Sequence, residues 1–253
     1  MSEVGQDGPR RDGTGQDASE QDAIGHEHGD VTGGWLRPAV FGAMDGLVSN
    51  FALIAGIIGG TSGSQTHAVI LAGLAGLAAG AFSMAAGEYT SVASQAEYTQ
   101  AEIEIERREI HRNPKAEQAE LAQMYVDRGI DPELADAIAT QVHLDPETAV
   151  AVHAREEFGA DPENLPSPLV AAGSSFVSFA IGAALPLVPF LLGASSLLPA
   201  MVVSLLALFG CGALVSRVTV RSWWYGGLRQ LVLGGAAAGL TYLIGQAVGA
   251  SVS

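Results

Sequence analysis

The acidic side chains of this chain are confined to two segments, and this segregation limits the folds that it can adopt. Of 27 Asp and Glu residues, 8 lie in residues 1–37 and 17 lie in residues 95–166, which leaves only Asp45 and Glu88 elsewhere. The remaining sequence consists of long apolar stretches rich in Gly, Ala and Leu, each close to the ~20 residues that span a bilayer as a helix. We therefore predict an all-α, polytopic membrane protein.

Five stretches are apolar and long enough to be transmembrane helices. The predicted spans cover about residues 38–60, 68–92, 168–192, 197–215 and 227–248. Pro186 and Pro189 are candidate kink positions in span 3. The chain then divides into a disordered acidic tail (residues 1–34), spans 1 and 2 (35–95), a cytoplasmic helical metal-binding insert (96–166) and spans 3 to 5 (167–253).

The tail is polar and Gly-rich and contains no apolar segment of the kind found in signal peptides. Its His26 and His28 are potential metal ligands, although two histidines in an unstructured tail more often have no such role. Cys211 is the single cysteine and falls in an apolar span, so we expect neither a disulfide framework nor a thiolate metal cluster. The lack of a targeting segment favours a prokaryotic inner membrane over an organelle membrane.

The basic residues predict the orientation in the membrane. All 12 Lys and Arg residues lie before span 1, in the insert, or between and beside spans 4 and 5. Because positively charged loops remain in the cytoplasm, we expect a cytoplasmic N-terminus and insert, with the C-terminus on the far side. The aromatic run Trp223, Trp224 and Tyr225 is expected to anchor the same cytoplasmic boundary.

Three Asx-Pro pairs indicate that the insert is folded. Each pair places an N-cap residue before a proline at the first helical position: Asn113–Pro114, Asp131–Pro132 and Asp145–Pro146. Gly129 and Gly159 follow where helices should end. We predict helices at about residues 114–128, 132–142 and 146–158, beyond a cytoplasmic extension of span 2.

The extension of span 2 carries one polar stripe. At about 100° per residue, seven side chains fall within about 60° of one another if the helix runs unbroken through Gly87. They are Met84, Glu88, Ser91, Gln95, Glu102, Glu106 and Glu109. Glu97 and Glu104 point the opposite way, and we interpret them as a solvated face.

The other insert helices add further ligands. The first offers Glu117 and Glu120, and the last offers His153, Glu156 and Glu157. Clustered carboxylates repel one another unless a cation neutralises them, and oxygen ligands with an imidazole suit Fe²⁺, Mn²⁺ or Zn²⁺. A ferritin-like oxidation centre would need Glu-x-x-His pairs, and no histidine here follows a glutamate by three residues. We therefore do not expect an enzyme.

Asp45 and Met84 are the candidate ligands inside the membrane. A carboxylate at that depth costs about 3 kcal/mol on insertion scales and is by default functional, whereas a methionine alone more often fills a core. Spans 1 and 2 are antiparallel neighbours, so the two side chains should lie at similar depth, and Gly76 and Gly80 allow close packing. A two-fold dimer axis would double this small ligand set. Metal and proton would then compete for one carboxylate, as in an exchanger.

The sequence resembles the vacuolar iron transporter family over nearly all of the chain after residue 35. The resemblance rests on "DGLVSNFALIAG", "AGAFSMAAGEYTSVASQ", the glutamate-rich insert, "SFVSFAIGAALPLVPF" and "GLRQLVLGGAAAGLTYLIG". It implies a five-span homodimer that moves Fe²⁺ and similar divalent ions out of the cytosol in exchange for protons. It also implies a path through the first two spans at the dimer interface and a cytoplasmic domain that collects metal.

The resemblance also implies roles for single residues. Asp45 and Met84 match the path ligands, and Glu88 matches a relay. The matching collector carboxylates are Glu106, Glu109, Glu117, Glu120 and Glu157, whereas Glu102 belongs to the stripe by geometry only. One departure is His153, which stands where the family commonly carries methionine.

The predicted function is therefore proton-coupled transport of Fe²⁺, with Mn²⁺, Co²⁺ or Zn²⁺ as further candidate substrates. The expected partners are divalent ions, protons, membrane lipid and a second copy of the chain; no organic cofactor and no nucleic acid are expected. Two alternatives remain open. One is a Mn²⁺ or Zn²⁺ transporter of the same fold, and the other is a membrane-anchored metal sensor or store that does not transport.

Overall fold

The computed structural model describes residues 34–61, 66–217 and 221–252. The predicted disorder of the tail and the predicted role of His26 and His28 lie outside the described residues.

The described residues form α-helices and one 3₁₀ turn, and no strand occurs among them. The helices are α1 (Leu36–Gly60), α2 (Thr66–Arg112), α3 (Pro114–Asp127), α4 (Pro132–Val142), α5 (Pro146–Glu157), α6 (Pro168–Ala184), α7 (Val188–Leu191), α8 (Leu197–Val215) and α9 (Trp223–Val252), with the 3₁₀ turn (Leu185–Leu187) between α6 and α7. Five helical segments are long and apolar enough to cross a membrane: α1, α2, the α6–α7 segment, α8 and α9. The all-α prediction with five spans is confirmed.

Helix α2 is a continuous rod of 47 residues, or about 70 Å at 1.5 Å per residue. It runs without a break through Gly87, where an added Cβ would meet no heavy atom within 4 Å. The apolar half of the helix is therefore coupled rigidly to its acidic half, which is the condition on which the predicted stripe depends.

Span 3 is interrupted at its prolines. Helix α6 ends at Ala184, a 3₁₀ turn follows, and α7 completes the span to Leu191. Pro186 and Pro189 lack a backbone N–H, so the regular hydrogen-bond ladder cannot continue past them. The two prolines thus coincide with an interruption of span 3 that takes the form of a 3₁₀ turn.

Close backbone contacts at small residues hold the spans together. Gly46 of α1 packs against the Phe179 carbonyl of α6, and Gly182 of α6 packs against the Ala43 carbonyl of α1. A Cβ at either glycine would overlap these backbone atoms. Such close approach is the usual basis of helix association in membranes, where lipid removes most of the hydrophobic driving force. Helix α1 is thereby fixed against α6, and α2 packs on the same partner through the Phe179 ring.

The insert packs on the cytoplasmic half of α2. Ile103 and Ile110 of α2 form a buried cluster with Ala149, Val150 and Ala154 of α5. Gly129 and Gly159 follow α3 and α5 with φ of +92° and +63°, a left-handed conformation that favours glycine at helix ends. Helices α3 and α5 end one residue earlier than predicted, because Arg128 and Phe158 are the C-cap residues.

Two of the three predicted N-caps form. Asp131 accepts hydrogen bonds from the backbone N–H groups of Glu133 and Leu134, and Asp145 accepts one from Thr148. Asn113 occupies the N-cap position of α3 but makes no capping hydrogen bond. The reason is that α2 ends directly before it, and the Asn113 side chain donates back to Glu109 Oε2 at 3.2 Å.

Candidate metal-binding sites

Packing of α2 against α5 carries a glutamate into the insert core. Glu106 lies three residues after Ile103 and four before Ile110, so it shares their buried helix face. Its residue surface is only 8% exposed. A carboxylate held in this way is available to a ligand that offsets the cost of burying its charge, such as a cation or a proton.

His153 of α5 lies opposite Glu106 and is fully buried. Its Nδ1 atom is 2.9 Å from Glu106 Oε1 and 2.9 Å from Glu157 Oε1. One ligand atom from each of the three residues lies within 4.8 Å of the others, a spacing that could hold a metal ion. His153 Nε2 makes no hydrogen bond to any residue that the structure describes. We call Glu106, His153 and Glu157 the insert triad.

Helix α3 adds negative charge beside the insert triad. Glu117 is buried on the same face as Leu121, and Glu120 is exposed. Burial, followed by the charge of Glu157, raises the pKa of Glu106 to about 7; His153 opposes this shift, and Glu117 and Glu120 add to it. The pKa of Glu117 is raised mainly by its own burial and next by Glu120. Protons therefore occupy part of this site when no cation does.

Three further predicted ligands have partners outside the insert triad. Glu156 forms an ion pair with Arg128 at 2.7 Å, and Glu102 accepts a hydrogen bond from Tyr98 that raises the pKa of the phenol. Glu109 accepts a hydrogen bond from the Asn113 side chain, although the charge of Glu109 still contributes to the raised pKa of Glu117. The structure thus brings Glu106, Glu117, His153 and Glu157 together and leaves Glu102 and Glu156 with other partners.

The two glutamates interpreted as a solvated face are placed accordingly. Glu104 pairs with Arg107 at 2.7 Å, and Glu97 is exposed. Both lie on α2 away from the insert triad, as the helical angles predict.

His143 is a neighbour of the insert triad that sequence reasoning missed. Its ring lies edge-to-face with His153, with centroids 5.3 Å apart, and its Nδ1 donates to the Ala139 carbonyl at 2.9 Å. A carbonyl only accepts, so the proton is on Nδ1 and the Nε2 lone pair is free. Burial lowers the pKa of His143. No spacing in the sequence could have indicated the contact, because it joins the C-cap residue of α4 to a residue within α5.

A second site lies between the spans. Asp45 of α1 and Met84 of α2 line one cavity of about 260 Å³, so the two candidate path ligands lie at the same depth. The cavity is lined by Asp45, Ser49, Asn50, Leu53, Gly76, Gly80, Ser83, Met84 and Phe179. Glu88, one turn further along α2, is not among these residues. The serines and Asn50 were not singled out from the sequence.

The sequence profile of the VIT family matches residues 36–246. A protein of Acanthamoeba castellanii named vacuolar iron transporter is 42% identical over 163 residues, which cover 64% of this chain and 57% of that protein. Vacuolar iron transporter 2 of Oryza sativa subsp. japonica is 28% identical over 92% of this chain and 96% of its own length.

A third relative, vacuolar iron transporter 1 of Arabidopsis thaliana, is 30% identical over 69% of this chain and 70% of its own length. The profile match includes the first four described spans, the whole insert and most of α9, and the resemblance stated from the sequence motifs is confirmed. The chain belongs to the VIT family.

Proposed function

We propose that this protein transports Fe²⁺ across a membrane, out of the cytosol, in exchange for protons. The observation that carries the proposal is the cavity shared by Asp45 and Met84 between two apolar helices. A protein whose spans served only as a membrane anchor would need no carboxylate at that depth, because inserting a carboxylate there is costly. Further support comes from the relatives that are named vacuolar iron transporters. Export of iron from the cytosol would serve detoxification or storage.

The ligand types in the cavity favour a first-row transition metal. A thioether is a poor ligand for Mg²⁺ or Ca²⁺ and a tolerable one for Fe²⁺, Co²⁺ or Zn²⁺, whereas carboxylate oxygen also suits Mn²⁺. The names of the relatives support Fe²⁺ as the proposed main substrate, and the other three ions are proposed as secondary ones.

The cavity also supports proton coupling. Asp45 can hold a proton or bind a cation, but not both at once, so loading of one ion displaces the other. Exchange then requires that the cavity opens in turn to the two sides of the membrane as Asp45 alternates between these two states. Asp45 and Met84 are each only partly buried in the single chain, which agrees with a second copy covering them across a two-fold axis.

In this proposal the insert collects metal for the cavity. The insert triad with Glu117 and Glu120 would hold an incoming cation, and Glu109 and Glu102 of the polar stripe would guide it along α2. Glu88 would relay ions between these glutamates and Met84. Placing the insert in the cytoplasm follows from the distribution of Lys and Arg.

The membrane is proposed to be that of an organelle. The names of the relatives support this location, whereas the prokaryotic inner membrane expected from the sequence has no such support. In either membrane the direction of transport is away from the cytosol.

A flux assay in liposomes tests the proposal. The full chain is reconstituted, and uptake of Fe²⁺, Mn²⁺, Co²⁺ and Zn²⁺ is measured at two internal pH values with a pH-sensitive dye inside. We expect Fe²⁺ uptake that is accompanied by proton efflux and is faster with an acidic interior. Saturable metal binding without uptake would instead identify a membrane-anchored metal sensor or store, and uptake without proton movement would rule out exchange.

A further inference from the structure

Asn50 of α1 is a buried polar residue of the cavity to which no role has been given above. Only 2% of its surface is exposed, and it lines the cavity together with Asp45 and Met84. A buried amide has two donors and a carbonyl oxygen to satisfy, so the partners of each end show what the side chain does.

The orientation of the amide is set by helix α6. Asn50 Nδ2 donates to the Ala183 carbonyl at 2.6 Å. A carbonyl oxygen only accepts hydrogen bonds, so the nitrogen end must face Ala183 and Oδ1 must face away from it. The Ala183 carbonyl is suited to this contact, because in a 3₁₀ pattern its partner would be the N–H of residue 186, which is proline.

The oxygen end of this cavity-lining side chain has no partner among the described residues. Asn50 Oδ1 is buried and makes no hydrogen bond to any part of the chain that the structure describes. It would lie 3.3 Å from a Cβ at Gly76, which lines the same cavity, so the glycine keeps the space in front of Oδ1 open. A buried acceptor left unpaired is unfavourable, and a bound cation would remove that cost.

We infer that Asn50 Oδ1 is a neutral oxygen ligand for the divalent ion that passes Asp45 and Met84. The inference rests on the proposed transport function and adds a residue to the same site. An amide oxygen completes the coordination without adding charge, so Asp45 remains the one proton-binding ligand that this chain supplies to the cavity. A second carboxylate at this position would hold the cation more strongly, and it would bind a second proton when the cation is absent.

The ligand type predicts which ions depend on Asn50. Carbonyl oxygen suits Mn²⁺, whereas Zn²⁺ is also well served by softer ligands such as the Met84 thioether. Loss of the amide oxygen should therefore weaken Mn²⁺ transport more than Zn²⁺ transport. A purely structural role, in which Asn50 only ties α1 to α6, would reduce both equally.

The test measures competing uptake of Mn²⁺ and Zn²⁺ by liposomes that contain the full chain with Asn50→Ala, Asn50→Leu or Asn50→Asp. We expect Asn50→Ala to raise the KM for Mn²⁺ about tenfold, which corresponds to about 1.4 kcal/mol. The ratio of Mn²⁺ uptake to Zn²⁺ uptake should therefore fall. Asn50→Leu keeps the number and branching of the side-chain heavy atoms but has no oxygen, and it should give the same shift. Asn50→Asp keeps an oxygen in the cavity and should preserve the ratio. Ser204→Ala is the matched control, because Ser204 is a buried polar residue of α8 outside the cavity.

The possible outcomes are distinct. An equal loss for both ions, or unchanged uptake in Asn50→Ala, would overturn the inference while leaving transport by the unmodified chain intact. If Asn50→Ala does not elute as a folded protein, the other two variants provide the test. An Mn²⁺-to-Zn²⁺ uptake ratio that is unchanged in Asn50→Leu, or one that falls as far in Asn50→Asp as in Asn50→Leu, would overturn the inference. Absence of uptake by the unmodified chain would overturn both the transport function and the role of Asn50.

Discussion

His153 Nδ1 lies 2.9 Å from Glu106 Oε1 in the buried interface between α2 and α5. The same atom is 2.9 Å from Glu157 Oε1, so one nitrogen is shared between two carboxylates. A proton on Nδ1 can hold this arrangement together when no metal is present, and a metal ion must compete with protons to enter it. The insert triad is therefore expected to respond to pH.

The first prediction concerns the stability of the metal-free protein. Glu106 has a pKa of about 7 in the fold against a usual 4.5, so folding favours its protonated form. Ionised Glu106 therefore lowers the free energy of unfolding. This destabilisation is absent below about pH 4.5, grows as the pH rises, and reaches its full size above about pH 7. Glu106→Gln should therefore raise the Tm at pH 8 by several degrees, equivalent to about 1–3 kcal/mol, with little change at pH 5.

Thermal unfolding in detergent with a chelator measures this effect. Glu104→Gln is the control, since Glu104 is an exposed partner of Arg107. A Tm gain for Glu106→Gln that is equal at pH 5 and pH 8 would contradict the prediction.

The second prediction concerns protons released on metal binding. Because Glu106 is about half protonated near pH 7, Mn²⁺ binding at pH 6.5 should displace close to one proton from it, and affinity should fall as pH is lowered further. Calorimetry in buffers of different ionisation enthalpy counts the protons. The measurement uses full-length Asp45→Asn, which disables the cavity, with and without Glu106→Gln. Identical proton release by both proteins would argue against Glu106 as the titrating ligand.

The third prediction separates two adjacent glutamates. Glu157→Gln should weaken metal binding by the insert about tenfold or more, because Glu157 contacts His153. Glu156→Gln should leave the affinity unchanged, because Glu156 is paired with Arg128. Titration with Co²⁺, followed by its visible absorption in the Asp45→Asn background, compares the two variants. An equal loss in both would mean that net charge, and not the placement of the carboxylate, determines binding.

The fourth prediction concerns the cavity. Asp45→Asn keeps the volume of the side chain but removes its charge, so Fe²⁺ uptake by liposomes should fall to the level of protein-free vesicles. Glu97→Gln removes one charge from an exposed position of α2 and should transport normally. Full uptake by Asp45→Asn would remove Asp45 from the mechanism.

The fifth prediction compares two N-cap positions. Asp145 accepts hydrogen bonds from both the backbone and the hydroxyl of Thr148, so Asp145→Ala should destabilise the insert by about 1 kcal/mol. Asn113 makes no capping hydrogen bond, so Asn113→Ala should have a smaller effect. Thermal unfolding of the two full-length variants at one pH checks this order. A larger loss for Asn113→Ala would show that its contact with Glu109 matters more than a cap.

The sequence by itself determined the helices. The spans, the continuous rod of α2 through Gly87 and the starts of α4 and α5 depend on hydropathy, helical period and capping, which act over a few neighbouring residues. The shared depth of Asp45 and Met84 could be predicted for the same reason, since a short connection between two antiparallel helices leaves little freedom in their register.

Only the tertiary structure decided which polar groups meet. Glu156 and Glu157 are adjacent and equally acidic, yet the packing of α5 on Ile103 and Ile110 places His153 and Glu157 beside Glu106, whereas Glu156 pairs with Arg128. The free oxygen of Asn50 is likewise set by the Ala183 carbonyl, 133 positions away in the chain. Local rules fix how each helix forms, whereas the packing of helices distant in sequence fixes the partner of each side chain.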